Sequence, residues 1–190
     1  MAYDNFNFNY VGEIDTSKIV KIVDSISNSW EEFDYRQKKF QVHQHTQTIP
    51  ILFDDDYRLS NPTPSKWYPL FEEHLRKLQD IASKFYGDGY IIRCILTNLK
   101  ANKNIAPHID GGNSLKRGKR IHVPIITTDK VLFTVGGEEK NLKVGEMWEI
   151  NNGKKPHAVY NNSDEDRVHL IFDYIIYRNS YDQTVHEQWY

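Results

Sequence analysis

The chain has 190 residues, of which 24 are Lys or Arg and 26 are Asp or Glu, so its formal charge at pH 7 is −2. This length suits one compact domain, and the balanced charge does not supply the cationic field that nucleic-acid binding requires. The single cysteine, Cys94, excludes an intrachain disulfide, and its apolar neighbours in YIIRCIL indicate a buried side chain rather than a nucleophile. We therefore expect one domain with one site and no nucleic-acid partner.

The first ten residues, MAYDNFNFNY, have neither a basic start nor an apolar stretch as long as a signal peptide requires. The apolar runs elsewhere are strand-sized pieces, far below the roughly 20 residues that cross a bilayer. We expect a cytoplasmic protein without a membrane partner, with a monomer favoured over an oligomer.

Two amphipathic helices are predicted in the first half of the chain. Residues able to cap a helix at 15–17 precede apolar residues at helical spacing up to about Trp30. A second helix is predicted over 67–85, and GDG at 87–89 ends it. Between the two helices, VHQHTQTIPILF at 42–53 predicts one or two strands joined to a loop.

From Tyr90 onward the helical period is replaced by turn-bounded strands, namely YIIRCILTNL, RIHVPIIT, KVLFTV, EMWEI, HAVYN and RVHLIFDYIIY. Strands at near-regular spacing with hairpin turns are typical of an antiparallel sandwich or jelly roll. The order predicts an α+β, mainly β domain with its N-terminal helices packed on one sheet. Within the single domain 1–190 we expect helical and substrate-side elements at 1–89, a jelly-roll core at 90–177 and a C-terminal tail at 178–190.

The segment NIAPHIDGGNS contains a possible pair of metal ligands. His108 and Asp110 are separated by one residue, so in a strand their side chains share a face and can reach one metal. A surface loop with a solvated aspartate is the alternative for so short a motif. His157 starts another predicted strand 49 residues after His108, although a strand-end histidine without a ligand role is possible there too. Two histidines and one carboxylate form the facial triad of non-haem iron enzymes, whereas zinc usually recruits more His and Cys.

Arg167 lies ten residues beyond the second histidine, on the strand that follows the turn NNSDED. If it faces the interior of the β core it requires an anionic partner, because a buried unpaired guanidinium is costly. A dicarboxylate cosubstrate would supply that partner, whereas an exposed Arg167 paired with Asp164 or Glu165 would argue against one. Arg120 and His122 share one face of their strand and would add positive charge near the same ligand, unless a basic turn leaves them solvated.

The segments PHIDGG, RIHVPI, VGEMWEINN, PHAVYN and RVHLIFD, in this order and spacing, resemble the aspartyl/asparaginyl β-hydroxylase family over roughly residues 90 to 177. The resemblance implies a double-stranded β-helix, the cupin-like jelly roll, that binds iron(II) and 2-oxoglutarate. The site residues that it implies are the iron ligands His108 and His157, the arginine for the distal carboxylate of 2-oxoglutarate, Arg167, and further cosubstrate contacts at Arg120, His122 and Thr97.

Asp110 is a departure within this resemblance. The animal aspartyl/asparaginyl hydroxylases carry glycine at this position, whereas bacterial amino-acid hydroxylases of similar sequence keep the acid. The resemblance thus implies that molecular oxygen is used to hydroxylate either an amino acid or an Asp/Asn-type residue of a peptide, with release of succinate and carbon dioxide.

Four polar residues upstream of the β core are candidate substrate contacts, although an ordinary polar strand explains them equally. They are His43, His45, Gln47 and Thr48. Two other interpretations of the whole chain remain open. One is a cupin-like metal enzyme that does not use 2-oxoglutarate, and the other is a non-catalytic β-sandwich binding module whose three ligands do not converge.

Overall fold

The computed structural model describes residues 5–53, 62–111 and 118–178, so the predicted tail from residue 179 onward lies outside the described residues. The helices are α1 (Ser17–Ser25), α2 (Tyr35–Lys39) and α3 (Tyr68–Tyr86), with 3₁₀ turns at Ser27–Ser29 and Gln41–His43. The strands are β1 (Phe8–Glu13), β2 (Thr46–Phe53), β3 (Thr63–Pro64), β4 (Gly89–Leu99), β5 (Asn104–His108), β6 (Lys119–Ile126), β7 (Val131–Val135), β8 (Glu138–Lys140), β9 (Glu146–Ile150), β10 (His157–Asn161) and β11 (Arg167–Ile176). None of the helices in these ranges is long and apolar enough to cross a membrane.

The described strands form two antiparallel sheets that pack face to face. The major sheet has seven strands in the order β1-β9-β6-β11-β4-β2-β3, and the minor sheet has four in the order β5-β10-β7-β8. Phe133 of the minor sheet stacks on His169 of the major sheet, with ring centroids 5.4 Å apart, so the two inner faces are in contact. This is the predicted jelly roll, with the strands of the second half of the chain in both sheets.

The predicted helical layer covers the outer face of the major sheet. Phe71, Leu75 and Leu78 recur at helical spacing on α3, and they are buried in one cluster with alternate residues of β11. Burying a side chain of this size contributes roughly 1.5–3 kcal/mol, so the helix is held mainly by this face. Helix α1 ends at Ser25, earlier than the predicted Trp30, because a separate 3₁₀ turn follows it.

Strand β11 determines which side chains enter the interior between the sheets. Val168, Leu170, Phe172 and Tyr174 belong to the cluster beneath the helices. Successive side chains of a strand point to opposite faces, so the odd-numbered residues from 167 to 173 face the minor sheet. The strand is buried on both sides and has neighbours on both edges, which explains why seven of its ten residues are apolar.

Strand β1 and helix α2 are among the elements that were not predicted from the sequence. Strand β1 pairs with β9 at the edge of the major sheet, with Phe8 opposite Ile150. Helix α2 is a single short turn of polar sequence, YRQKK, that precedes the 3₁₀ turn at Gln41–His43. This segment lies beside β2 and brings residues of the N-terminal half to the interior of the sandwich.

Candidate metal and cosubstrate site

The structure brings the three predicted metal ligands together. His108 ends β5 and His157 begins β10, and the two residues are cross-strand partners with ring centroids 4.2 Å apart. Asp110 follows in the loop after β5, where its N–H donates to the carbonyl oxygen of Asn152 at 2.9 Å. One ligand atom from each of the three side chains lies within 4.8 Å of the others. Two imidazoles and one carboxylate in this arrangement match the donor set of a non-haem iron site.

The ionisation states of Asp110 and His157 suit metal binding. Burial is the largest single effect on Asp110 and disfavours its charged form, but the charge of Arg120 acts together with His108, His157 and Asn152 to hold the pKa of this carboxyl well below its usual range. Burial lowers the pKa of His157 to about 4, so its imidazole is neutral near pH 7. Burial also opposes charge on His108, although bonds to Asp110 and to the carbonyl of Ala106 raise its pKa overall. That carbonyl lies 2.8 Å from Nδ1 of His108, which assigns the proton to Nδ1 and leaves Nε2 for a metal.

Arg120 holds the carboxylate of Asp110 in place. Its Nη1 donates to Oδ2 of Asp110 at 2.7 Å, while Nε and Nη2 donate to the two carboxylate oxygens of Asp173 at 2.8 and 2.9 Å. Nδ2 of Asn152 also donates to Oδ2 of Asp110, at 2.6 Å. The cosubstrate contact predicted for Arg120 stays a prediction, and its guanidinium has a second function in orienting the triad carboxylate.

Arg167 lies inside the sandwich and not beside Asp164 or Glu165. Its side chain is 1% exposed, and its Nε and Nη2 have no hydrogen-bond partner among the described residues. The guanidinium carbon is 4.9 Å from the ring centroid of Phe133. Burial lowers the pKa of Arg167 to about 9, and no neighbouring carboxylate of the described chain offsets this effect. A buried guanidinium in this state favours an anionic ligand as its partner.

The other predicted cosubstrate contacts line the same cavity as the triad, which we call the inner pocket. Its lining includes the triad and also Thr97, His122, Phe133 and Arg167. Oγ1 of Thr97 and Nδ1 of His122 are buried and have no hydrogen-bond partner among the described residues. Burial and the nearby Arg167 hold the pKa of His122 well below its usual range, so this imidazole is neutral. The inner pocket therefore presents several unused polar groups to a ligand.

A larger cavity, the outer chamber, adjoins the inner pocket. It has a volume of about 270 Å³, against about 40 Å³ for the inner pocket, so a ligand that reaches Arg167 has to move side chains. The two cavities share Arg36, His43, His108, Asp110 and Arg120. The outer chamber is lined in addition by Phe40, Val42, Phe53, Arg93, Ile95, Ile109 and Gly111.

Of the four candidate substrate contacts, only His43 lines the inner pocket or the outer chamber. His43 lines both cavities, and its ring centroid is 5.8 Å from that of His108. Thr48 is buried and lines neither cavity, and its Oγ1 accepts a hydrogen bond from Nε2 of Gln37 at 3.2 Å. Neither His45 nor Gln47 lines the inner pocket or the outer chamber.

For Gln47 the reason is the geometry of strand β2. Gln47 of β2 points to the opposite face from Thr48, where its Oε1 accepts a hydrogen bond from Asn98 at 3.0 Å. Adjacent residues of one strand cannot all contact the same substrate.

Several residues of the site were not found from the sequence. Asp173 is hidden in an apolar run, yet its even spacing from Arg167 on β11 places both side chains on one face. Asn152 lies in the NNGKK turn, and Arg36 lies on a helix too short to show periodicity. The even spacing between Arg167 and Asp173 on β11 is the one sequence pattern by which a missed residue of the site could have been found.

The fold and the site together define a non-haem iron oxygenase of the jelly-roll type. The family model for aspartyl/asparaginyl beta-hydroxylase matches residues 65–176, which is more than half of the chain. The chain therefore belongs to the aspartyl/asparaginyl β-hydroxylase family. This confirms the predictions of an oxygenase enzyme with iron(II) and 2-oxoglutarate as its cofactors.

Solved structures of related fold support the architecture. An oxidoreductase of the 2OG-Fe(II) oxygenase family from Burkholderia pseudomallei has a TM-score of 0.56 and 17% identity over 70% of this chain and 71% of its own. A Pseudomonas putida prolyl-4-hydroxylase has a TM-score of 0.57 and 10% identity over 91% and 94%. A Trichoplax adhaerens prolyl hydroxylase, solved with a hypoxia inducible factor peptide, has a TM-score of 0.57 and 10% identity over 97% and 87%. The comparison with curated proteins gives no match. These similarities confirm the predicted fold class.

The ion pairs of Asp173 are expected to stabilise the folded protein. Its carboxylate accepts two hydrogen bonds from Arg120 and lies 3.4 Å from Nη1 of Arg93. Asp173→Asn should lower the free energy of unfolding by about 3–5 kcal/mol, because it leaves buried arginines without this charge. Urea unfolding followed by circular dichroism measures the loss.

The matched control is Asp34→Asn, which removes an exposed ion pair with Lys38 on α2. This change should cost no more than about 0.5 kcal/mol. Equal costs for the two variants would show that the Asp173 ion pairs do not stabilise the interior.

Proposed function

We propose that this protein uses iron(II), 2-oxoglutarate and molecular oxygen to hydroxylate an unactivated C–H bond of an amino acid or of an Asp/Asn-type residue in a peptide. Succinate and carbon dioxide are released with the hydroxylated product. The observation that carries the proposal is the buried Arg167 guanidinium, which lacks hydrogen-bond partners at two nitrogen atoms and lines one cavity with the triad. A dicarboxylate with one end at the metal and the other at Arg167 fits this arrangement of charges.

Iron(II) fits the donor set of the triad. His108, Asp110 and His157 would hold it, and two histidines with one carboxylate leave three of six coordination positions for other ligands. When bound, iron(II) and 2-oxoglutarate together supply the oxidising power that inserts one oxygen atom of O₂ into a C–H bond. Arg120 keeps Asp110 ionised, so that the carboxylate is ready to bind a cation.

The remaining polar residues of the inner pocket would bind and orient the cosubstrate. Arg167 offers a planar fork to the distal carboxylate, and the hydroxyl of Thr97 and the neutral imidazole of His122 are polar groups on the same cavity wall. Fixing both ends of the cosubstrate holds the reacting groups in one geometry. The outer chamber opens on His108 and Asp110 of the triad, and apolar walls that include Phe40 and Phe53 would exclude water from the bound substrate.

The alternative interpretations are less well supported. A cupin-like enzyme without 2-oxoglutarate gives no partner to the buried Arg167, and Asp164 instead accepts a hydrogen bond from Asn102 at 3.0 Å. A non-catalytic module does not explain why two strands and a loop bring the three ligand side chains together. The arrangement favours the 2-oxoglutarate-dependent enzyme.

The substrate class can be tested with a panel of free amino acids and of peptides that contain Asp or Asn. The wild-type protein, supplied with iron(II), 2-oxoglutarate and oxygen, should form more succinate with one class than without a substrate, and the product of that class should gain one oxygen atom by mass spectrometry. Neither proposed class is correct if no compound of the panel stimulates succinate formation or gains oxygen.

Arg167 should dominate the affinity for the cosubstrate. Arg167→Ala should raise the Kd of 2-oxoglutarate at least roughly tenfold, because charge-assisted bonds to the carboxylate are lost. Arg167→Lys should recover little of this affinity, since a point charge does not replace a bidentate fork. Isothermal titration with manganese(II)-loaded protein in the absence of oxygen measures binding apart from turnover. Arg76→Ala, which changes an exposed arginine of α3, is the control. An unchanged Kd for Arg167→Ala would remove Arg167 from the site.

Arg167 is not expected to stabilise the protein in the absence of ligand. Arg167→Met replaces a buried charge with an apolar side chain of similar length, so the Tm of the protein without ligand should stay equal or rise. Thermal unfolding with and without 2-oxoglutarate separates this effect from binding. A large fall in Tm without ligand would mean that the described residues already satisfy the guanidinium.

Asp110 distinguishes this chain from the animal members of the family, which carry glycine at this position. Asp110→Gly removes one of three ligands and also leaves Nη1 of Arg120 and Nδ2 of Asn152 without their acceptor. We expect weaker iron(II) binding and nearly complete loss of succinate formation. Iron content after dialysis and succinate formation are measured on the same samples. Near-wild-type succinate formation at iron concentrations below saturation would show that Asp110 is not a working ligand.

A further inference from the structure

A third polar residue lies beside Arg167 and Thr97 on the inner face of the major sheet. His169 is fully buried, lies two residues from Arg167 on the same face of β11, and is the cross-strand partner of Thr97 on β4. Side chains of such partners are direct neighbours on the face of a sheet. The three residues therefore form one continuous polar patch on this face of the sheet.

Each member of this patch has unused hydrogen-bonding capacity. Among the described residues, no partner is found for Nε and Nη2 of Arg167, for Oγ1 of Thr97, or for either ring nitrogen of His169. Buried polar groups in folded proteins are almost always paired, so a cluster of this kind indicates a ligand that completes it. His169 is the member of the patch that the proposed function has not used.

The ring of His169 is held in a fixed orientation. It stacks on Phe133 with an interplanar angle of 15° and a centroid distance of 5.4 Å, and Arg167 contacts the same phenyl ring. Burial, with the nearby charge of Arg167, holds the pKa of His169 well below its usual range. The imidazole is thus neutral, with one N–H donor and one acceptor nitrogen.

The donors of the patch match one carboxylate group. A carboxylate has two oxygens with about four lone-pair sites. Arg167 offers N–H groups at Nε and Nη2, Thr97 offers one O–H, and neutral His169 offers one N–H. Four donor atoms at three adjacent positions thus have no partner among the described residues, which is the number that one carboxylate can accept.

We propose that His169 is a further binding residue for the distal carboxylate of the cosubstrate, acting together with Arg167 and Thr97. This inference rests on the proposed function, because it requires 2-oxoglutarate in the inner pocket. The family resemblance implies roles for the arginine and for the small hydroxyl residue, whereas the burial and register of β11 add the histidine.

The test compares two replacements of His169. His169→Phe keeps a flat ring for stacking on Phe133 but removes the N–H donor, whereas His169→Gln keeps an N–H donor. With manganese(II)-loaded protein and 2-oxoglutarate in the absence of oxygen, isothermal titration should show a Kd roughly tenfold higher for His169→Phe, because a hydrogen bond to a charged group is lost. His169→Gln should recover part of that affinity. His74→Phe is the control, since His74 is a buried histidine with an unpartnered Nδ1 on α3, in the helical layer and not on the strands that carry Arg167 and Thr97.

The outcomes separate this inference from the proposed function. If the wild-type protein does not bind 2-oxoglutarate, the proposed function and this inference both fail. If the wild-type protein binds it and His169→Phe binds it equally well, only the role of His169 is overturned.

A second measurement covers the case in which His169→Phe does not fold. In wild-type protein with ¹⁵N-labelled histidine, 2-oxoglutarate should shift the imidazole N–H resonance of His169, and an unchanged resonance would overturn the proposal.

Discussion

Arg167 is buried between the two sheets, and this placement constrains the rest of the site. The register of β11 sends its side chain inward, where two of its nitrogen atoms have no hydrogen-bond partner among the described residues. Burial alone lowers its pKa to about 9, which still leaves the guanidinium charged near pH 7. A folded protein keeps such a charge only at a cost in stability, so the position is best understood as prepared for an anion. The inner pocket places that anion beside the triad.

The carboxylates of the interior explain why Arg167 is available to a ligand. Asp173 and Asp110 bind the guanidinium of Arg120, and Asp173 also pairs with Arg93. These pairs lie at the end of β11 away from Arg167, and they hold Asp110 ionised and oriented toward the two histidines. One end of the interior is thus arranged to bind a cation and the other end to bind an anion. A cosubstrate that chelates a metal and carries a second carboxylate suits both ends.

The sequence predicted the parts of the site that local patterns encode. Alternation in a strand grouped His108 with Asp110, and the donor set of a facial triad together with the family resemblance added His157; the structure brings one ligand atom of each within 4.8 Å of the others. The jelly roll followed from turn-bounded strands, and the helical layer followed from apolar periodicity.

Other parts depend on long-range pairing that spacing does not reveal. The contact of Arg120 with Asp110 and Asp173 requires knowledge of which strands are neighbours, and β6 pairs with β11 across more than 40 residues of chain. The assignment of His45 and Gln47 as substrate contacts stays a prediction, and spacing alone does not show that adjacent residues of β2 such as Gln47 and Thr48 point to opposite faces. Arg36 was not found because α2 has no apolar periodicity to indicate that it packs beside the site.

The most direct test of this account is a crystal structure of the wild-type protein prepared without oxygen in the presence of iron(II) and 2-oxoglutarate. The account predicts one metal ion bound by His108, Asp110 and His157, with the cosubstrate chelating that ion and its distal carboxylate bound to the guanidinium of Arg167. A metal ion held by other residues, or a cosubstrate that does not contact Arg167, would contradict it.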